Sequence, residues 1–138
     1  MNKPVFTLNN PAGLYDPTAN GYSHVASVAA GARLLFIAGQ GGEDERGNLS
    51  PDFAEQVRQA LNNLRTALES AGASSRDVVK LTVLIVDHSE ARLRVFGELL
   101  QVAFGTGPMP TCTLIPVPRL ALDGMLFEIE AVAALAAE

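Results

Sequence analysis

A chain of 138 residues is about one ordinary domain, 1–138, and long enough to bury a full core. Hydrophobic residues make up 48% and charged residues 18%, a balance that excludes intrinsic disorder. The net charge is −5 without a basic cluster, which speaks against a nucleic-acid partner, and the longest apolar runs fall far short of the ~20 residues of a membrane span.

In chain order, Pro4 to Leu8 is a first strand and Asn9 to Gly21, rich in Asn, Pro, Gly and Asp, a loop. Ser23 to Ala29 and Leu34 to Gly39 flank Gly31-Ala32-Arg33, the pattern of a hairpin. Gly41 to Asn48 is a polar, acidic excursion. Ser50 to Gly72 is the clearest helix, with Ser50 as N-cap, Pro51 at the first helical position and Phe53, Val57, Ala60, Leu61, Leu64 and Leu68 on one stripe. Val78 to Val86 is a strand apolar on both faces. Ser89 caps a second helix with Leu93, Phe96, Leu99, Leu100 and Phe104 on its stripe. Gly105 to Pro110 closes it, and two apolar strands joined by a short polar turn, read as a hairpin, end the chain.

The order β-β-β-α-β-α-β-β predicts an α+β fold, a six-stranded mixed sheet with two helices on one face. Leu34 to Ala38 and Val78 to Val86 are apolar at successive positions, whereas a sheet with one wet face alternates. No helix remains to cover the second face, so other copies of the chain are expected to cover it.

The last strand carries the first site candidates. Glu128 and Glu130 point to one face, and Phe127, Ile129 and Ala131 to the other. A carboxylate in so apolar a strand needs a partner, a shifted pKa or a watered pocket. Glu128 is therefore read either as functional or as half of an ion pair with Arg119 or Lys80. Cys112 cannot form an internal disulfide, which suits a reducing compartment. Residues 1–8 lack a leader pattern, so the expected location is the cytoplasm. Gly39 and Gln40 end a buried strand, where glycine lets a ligand approach the backbone. The Gly39-Gln40-Gly41-Gly42 run lacks the Lys-Ser or Lys-Thr of a phosphate loop. Glu43, Asp44 and Glu45 lack a calcium-loop pattern and read as solvated.

Several pieces together resemble the RidA family, also called YjgF and historically labelled L-PSP endoribonuclease. They are Gly21-Tyr22-Ser23-His24, Ile37-Ala38-Gly39-Gln40, Gln56 with Asn63-Leu64, Asp77-Val78-Val79-Lys80, Pro110, and Glu128-Ile129-Glu130-Ala131. The resemblance implies a chorismate-mutase-like fold, a homotrimer with helices outside, and small-molecule pockets in the clefts between subunits. It also implies hydrolysis of reactive enamines or imines to ketoacids and ammonia, with no metal and no cofactor. By that resemblance Glu128 places the attacking water, and Tyr22, Gly39 and Gln40 line the pocket; His24, which sits where many relatives have glutamine, and Leu114 are further substrate-binding candidates.

The chain departs from the pattern at Cys112, where the resemblance implies a substrate-clamping arginine two residues after the proline. A thiol cannot make the bidentate pair of a planar guanidinium. Cys112 is thus either an apolar filler or a second catalytic group; as a nucleophile it needs a base, and His24 is the candidate. The expected function is a RidA-like hydrolase with altered substrate range. The alternative is a non-catalytic binding or thiol-sensing protein.

Overall fold

The computed structural model describes residues 3–138. Met1 and Asn2, where the segment read for a leader begins, lie outside the described residues. Six strands and two long helices follow in the expected order: β1 (Phe6–Asn9), β2 (Val25–Val28), β3 (Arg33–Gln40), α1 (Phe53–Ser70), β4 (Val78–Val86), α2 (Glu90–Phe104), β5 (Thr111–Val117) and β6 (Phe127–Leu135).

The capping chemistry sets the helix starts. Asp52, rather than Ser50, caps α1: its carboxylate accepts the Glu55 N–H at 3.0 Å, while the Ser50 hydroxyl accepts the Asp52 N–H at 3.1 Å. Pro51 therefore precedes the helix instead of opening it. Ser89 caps α2 as expected, its hydroxyl accepting the Arg92 N–H at 3.1 Å. Such caps contribute about 1 kcal/mol each.

Pairing differs from the local reading in two places. β1 and β2 form their own antiparallel pair, so β2 is not the hairpin partner of β3. The other four strands make a sheet in the order β3-β6-β4-β5. Here β5 runs parallel to β4, and β6 inserts antiparallel between β3 and β4. The closing pair is therefore no hairpin. A parallel pair needs a long crossover, which α2 supplies, and β6 then fills the vacant edge of β4. A bridge between Ser23 and Thr111 ties the segment leading into β2 to the outer edge of β5.

The sheet has two unlike faces. Both helices cover one of them: Val57, Leu64 and Leu68 of α1 and Phe96 and Leu100 of α2 meet Leu81, Val83, Ile85, Phe127, Ile129 and Ala131. Phe127 lies edge-on to Phe53, with ring centroids 6.1 Å apart. Burial of each large side chain here contributes about 1.5–3 kcal/mol. The other face carries Leu34, Phe36 and Ile115, all exposed, and Phe36 keeps 76% of its surface open. No described helix is long and apolar enough to cross a membrane.

Candidate functional site

Strand alternation places Glu128 on the open face. It pairs in register with Leu84, which pairs with Ile115, so the three form one row across β6, β4 and β5. Glu130 follows in the next row beside Thr82. The register of β3 against β6 shifts between Ile37 and Gln40, a bulge that brings Gly39 against the Glu128 side chain. A Cβ at Gly39 would lie 1.9 Å from Glu128 Oε1, so only glycine leaves the carboxylate its place.

Neither suggested ion pair forms. Arg119 holds Asp123, with Nη2 3.1 Å from Oδ1, and Lys80 joins no ion pair among the described residues. Partial burial pushes the Glu128 carboxyl above its usual range, and the negative charges of Glu43 and Glu130 push it further. Glu43 is thus no idle loop charge. It is half-buried, and the Asn63 amide donates to the Gly41 carbonyl at 3.0 Å and the Glu43 carbonyl at 2.8 Å, fixing its loop on α1. A polar Asn63 beside the stripe residue Leu64 was the available signal.

Gln40 does not join this group through its side chain. Its amide donates to the Ala38 carbonyl at 3.0 Å, and its register opposite Ile129 puts it on the helix-covered side. Gln56, fully buried in α1, steadies the recess from below. Its amide donates to the Ser50 carbonyl at 2.7 Å and the Gly124 carbonyl at 2.9 Å, and its oxygen accepts the Leu126 N–H at 2.9 Å. These bonds tie the helix start to the chain entering β6.

A second group lies at the β5 edge. The Ser23 N–H donates to the Pro110 carbonyl at 3.1 Å, and its hydroxyl donates to the Met109 carbonyl at 2.6 Å. With Ser23 paired to Thr111, alternation sends Tyr22 and His24 to the side of Cys112. The rings of Tyr22 and His24 lie 5.5 Å apart, edge to face. Tyr15, overlooked in the sequence, stands 5.2 Å from His24 and 6.4 Å from Tyr22, and its hydroxyl meets that of Tyr22.

Within one chain the sheet separates Cys112 and Leu114 from Glu128. Both pack against the helix-side core, on the face opposite the carboxylate. Burial pushes the Cys112 thiol up to about 11, and burial is the one cause of that shift. His24 Nε2 donates to the Tyr15 carbonyl at 2.8 Å, which fixes the ring against the turn. Within the chain, no hydrogen bond among the described residues joins the Cys112 thiol to the His24 imidazole.

Two open grooves lie apart from most of these residues. A groove of about 340 Å³ between α1 and α2 touches none of these residues, and a wider one of about 760 Å³ beside the Glu43 loop includes Gln40 alone of the expected set. Among the described residues, no group of three His, Cys, Asp or Glu side chains is placed to hold a metal ion.

Fold and site define an α+β protein with a carboxylate held against glycine at a strand bulge, on a sheet face left open by one chain. The profile of the family described as "Endoribonuclease L-PSP" matches residues 15–135. The chain is 34% identical over 126 residues to the RutC family protein YjgH of Escherichia coli, covering 89% of this chain and 90% of that one. It is 35% identical over 137 residues to the 2-iminobutanoate/2-iminopropanoate deaminase of Rattus norvegicus, covering 96% and 90%. Among solved structures, the Rid-family protein YyfB of Yersinia pestis superposes with a TM-score of 0.90 at 34% identity, over 96% of this chain and 100% of that one. The chain belongs to the RidA (YjgF) family.

Proposed function

We propose that this protein is a hydrolase of small imines or enamines, working as a homotrimer in the cytoplasm without metal or cofactor. The observation that carries the reading is Glu128: a carboxylate in no ion pair among the described residues, with a raised pKa, set against Gly39 on an uncovered sheet face. Relatives named as 2-iminobutanoate/2-iminopropanoate deaminases support the reaction class.

In the reaction, a water held by Glu128 adds its oxygen to the imine carbon while the carboxylate takes its proton. The carbon–nitrogen bond then breaks, a carbonyl forms and ammonia leaves with the protons. The Gly39 backbone lets the substrate lie close to the strand. The apolar open face, with Phe36 exposed on the edge strand β3, is the surface that other copies cover, and such packing would bring the β5-edge group of one copy to the carboxylate of another.

With Cys112 at the position where the resemblance implies arginine, the preferred substrates lack a carboxylate anchor. The thiol-sensing alternative is disfavoured by a thiol held protonated by burial. The test is ammonia release from imines generated in solution. Uncharged imines should turn over, and 2-aminoacrylate should react little; rapid release from 2-aminoacrylate, or none from any imine, overturns the reading. Phe36→Asp should convert a trimer to monomers by light scattering, and a wild-type monomer contradicts the assembly.

A further inference from the structure

The chain holds two tyrosines and no tryptophan, and both tyrosines belong to the cluster at the β5 edge. We propose that Tyr15, Tyr22 and His24 form the substrate-selecting wall of this protein and that the group they select is a planar, uncharged aromatic ring. The inference rests on the hydrolase reading for the location of the site, and it names what the site prefers.

Three observations support it. First, the rings are arranged for extension. Their edge-to-face contacts, with centroids 5.2, 5.5 and 6.4 Å apart, lie within the range in which aromatic pairs attract. Tyr15 still exposes 60% of its surface, so its ring can take a further partner.

Second, the cluster is held in place rather than lying loose on the surface. His24 Nε2 donates to the Tyr15 carbonyl at 2.8 Å, and the His24 N–H donates to Asn10 Oδ1 at 2.9 Å. Asp16, next to Tyr15, accepts the Thr18 N–H at 3.0 Å and the Thr18 hydroxyl at 2.6 Å, which fixes the turn. Ser23, between Tyr22 and His24, is buried and bound to the start of β5. A pre-set wall loses little freedom when a ligand arrives.

Third, the cluster sits on the Cys112 side of the β5 edge, and no hydrogen bond or ion pair joins an arginine or lysine to these three residues among the described ones. Among the described residues no cationic clamp faces the three rings, and aromatic surface is what they offer in its stead.

Tyrosine emission therefore reports on this wall alone. The experiment titrates the intact protein with two uncharged carbonyl probes of similar size, benzamide and cyclohexanecarboxamide, and follows that emission. Benzamide should bind saturably and about fivefold more tightly than its saturated counterpart, the effect of one aromatic contact. Tyr15→Leu should abolish the preference, and Tyr15→Phe should keep it. Equal affinity for the two probes, saturable binding by neither, or loss of the preference in Tyr15→Phe as well as Tyr15→Leu each overturns the proposal. Ammonia release is measured separately. Its absence alongside an intact ring preference counts against the hydrolase reading alone, and turnover without the preference counts against the wall alone.

Discussion

Glu128 Oε1 occupies the space that a side chain at position 39 would need: a Cβ there would fall 1.9 Å from that oxygen, 2.6 Å from Cδ and 2.9 Å from Cγ. The neighbours are the far end of a flexible side chain, so Gly39→Ala can be absorbed by turning the carboxylate away. The stability cost should stay near 1 kcal/mol, the scale of an off-rotamer side chain. Activity should fall about a hundredfold, because the displaced group is the one proposed to hold water. Urea unfolding set beside ammonia release checks this; equal losses in both would mean the glycine is only structural.

Glu128 also makes a signed prediction about pH. The unfolded chain loses this proton in the ordinary glutamate range, and the folded chain loses it higher, because burial and the charges of Glu43 and Glu130 disfavour the anion. Between the two values the folded state binds more protons. The stabilising contribution is fully present below the unfolded value and is lost as pH rises through the folded one. Glu128→Gln should flatten stability across that mildly acidic window while slowing turnover about 10²–10⁴-fold. In the wild type, turnover should fall on acidification with a midpoint above the usual glutamate value. A midpoint in the ordinary range would remove the recess as the cause.

The faces of β6, both helices and the whole extent of β4 were legible, because alternation and 3.6-residue spacing are local signals. Strand partners were not. Thr111–Val117 and Phe127–Leu135 are near neighbours in sequence, yet β4 pairs with both and keeps them apart. Nothing between them records that α2 has already committed β5 to a parallel place. The site was half legible for the same reason. Glu128 stood out as a polar residue in an apolar strand, while Glu43 and Tyr15 sit on a loop and a turn whose positions long-range contacts decide.

Gln56 and Gly42 should matter more to folding than to chemistry. A Cβ at Gly42 would lie 2.7 Å from Gln56 Cα and 2.9 Å from its carbonyl oxygen, so backbone rather than a side-chain tip must yield. Gly42→Ala should cost roughly 1–3 kcal/mol. Gln56→Leu strands the Ser50 and Gly124 carbonyls and the Leu126 N–H and should cost about 2–4 kcal/mol. Lower urea midpoints, with kcat of the folded fraction little changed, are the expected outcome. A larger loss of kcat than of stability would draw these residues into the reaction.

Cys112 is the residue on which sequence and structure pull hardest apart. It fills the position of an implied substrate clamp, yet its thiol packs against the core and is pushed from 9.0 up to about 11 by burial. A thiol held at about 11 leaves roughly a hundredfold less thiolate at neutral pH than an ordinary thiol has. Iodoacetamide should therefore label the folded protein at least a hundredfold more slowly than the urea-unfolded chain, with a rate that climbs until the pH approaches the thiol's own value. Cys112→Ala should keep most of its turnover and lose about 1 kcal/mol of stability for the missing sulfur. Fast labelling near neutral pH, or turnover abolished in the alanine variant, would require a thiolate, the form that burial disfavours at Cys112.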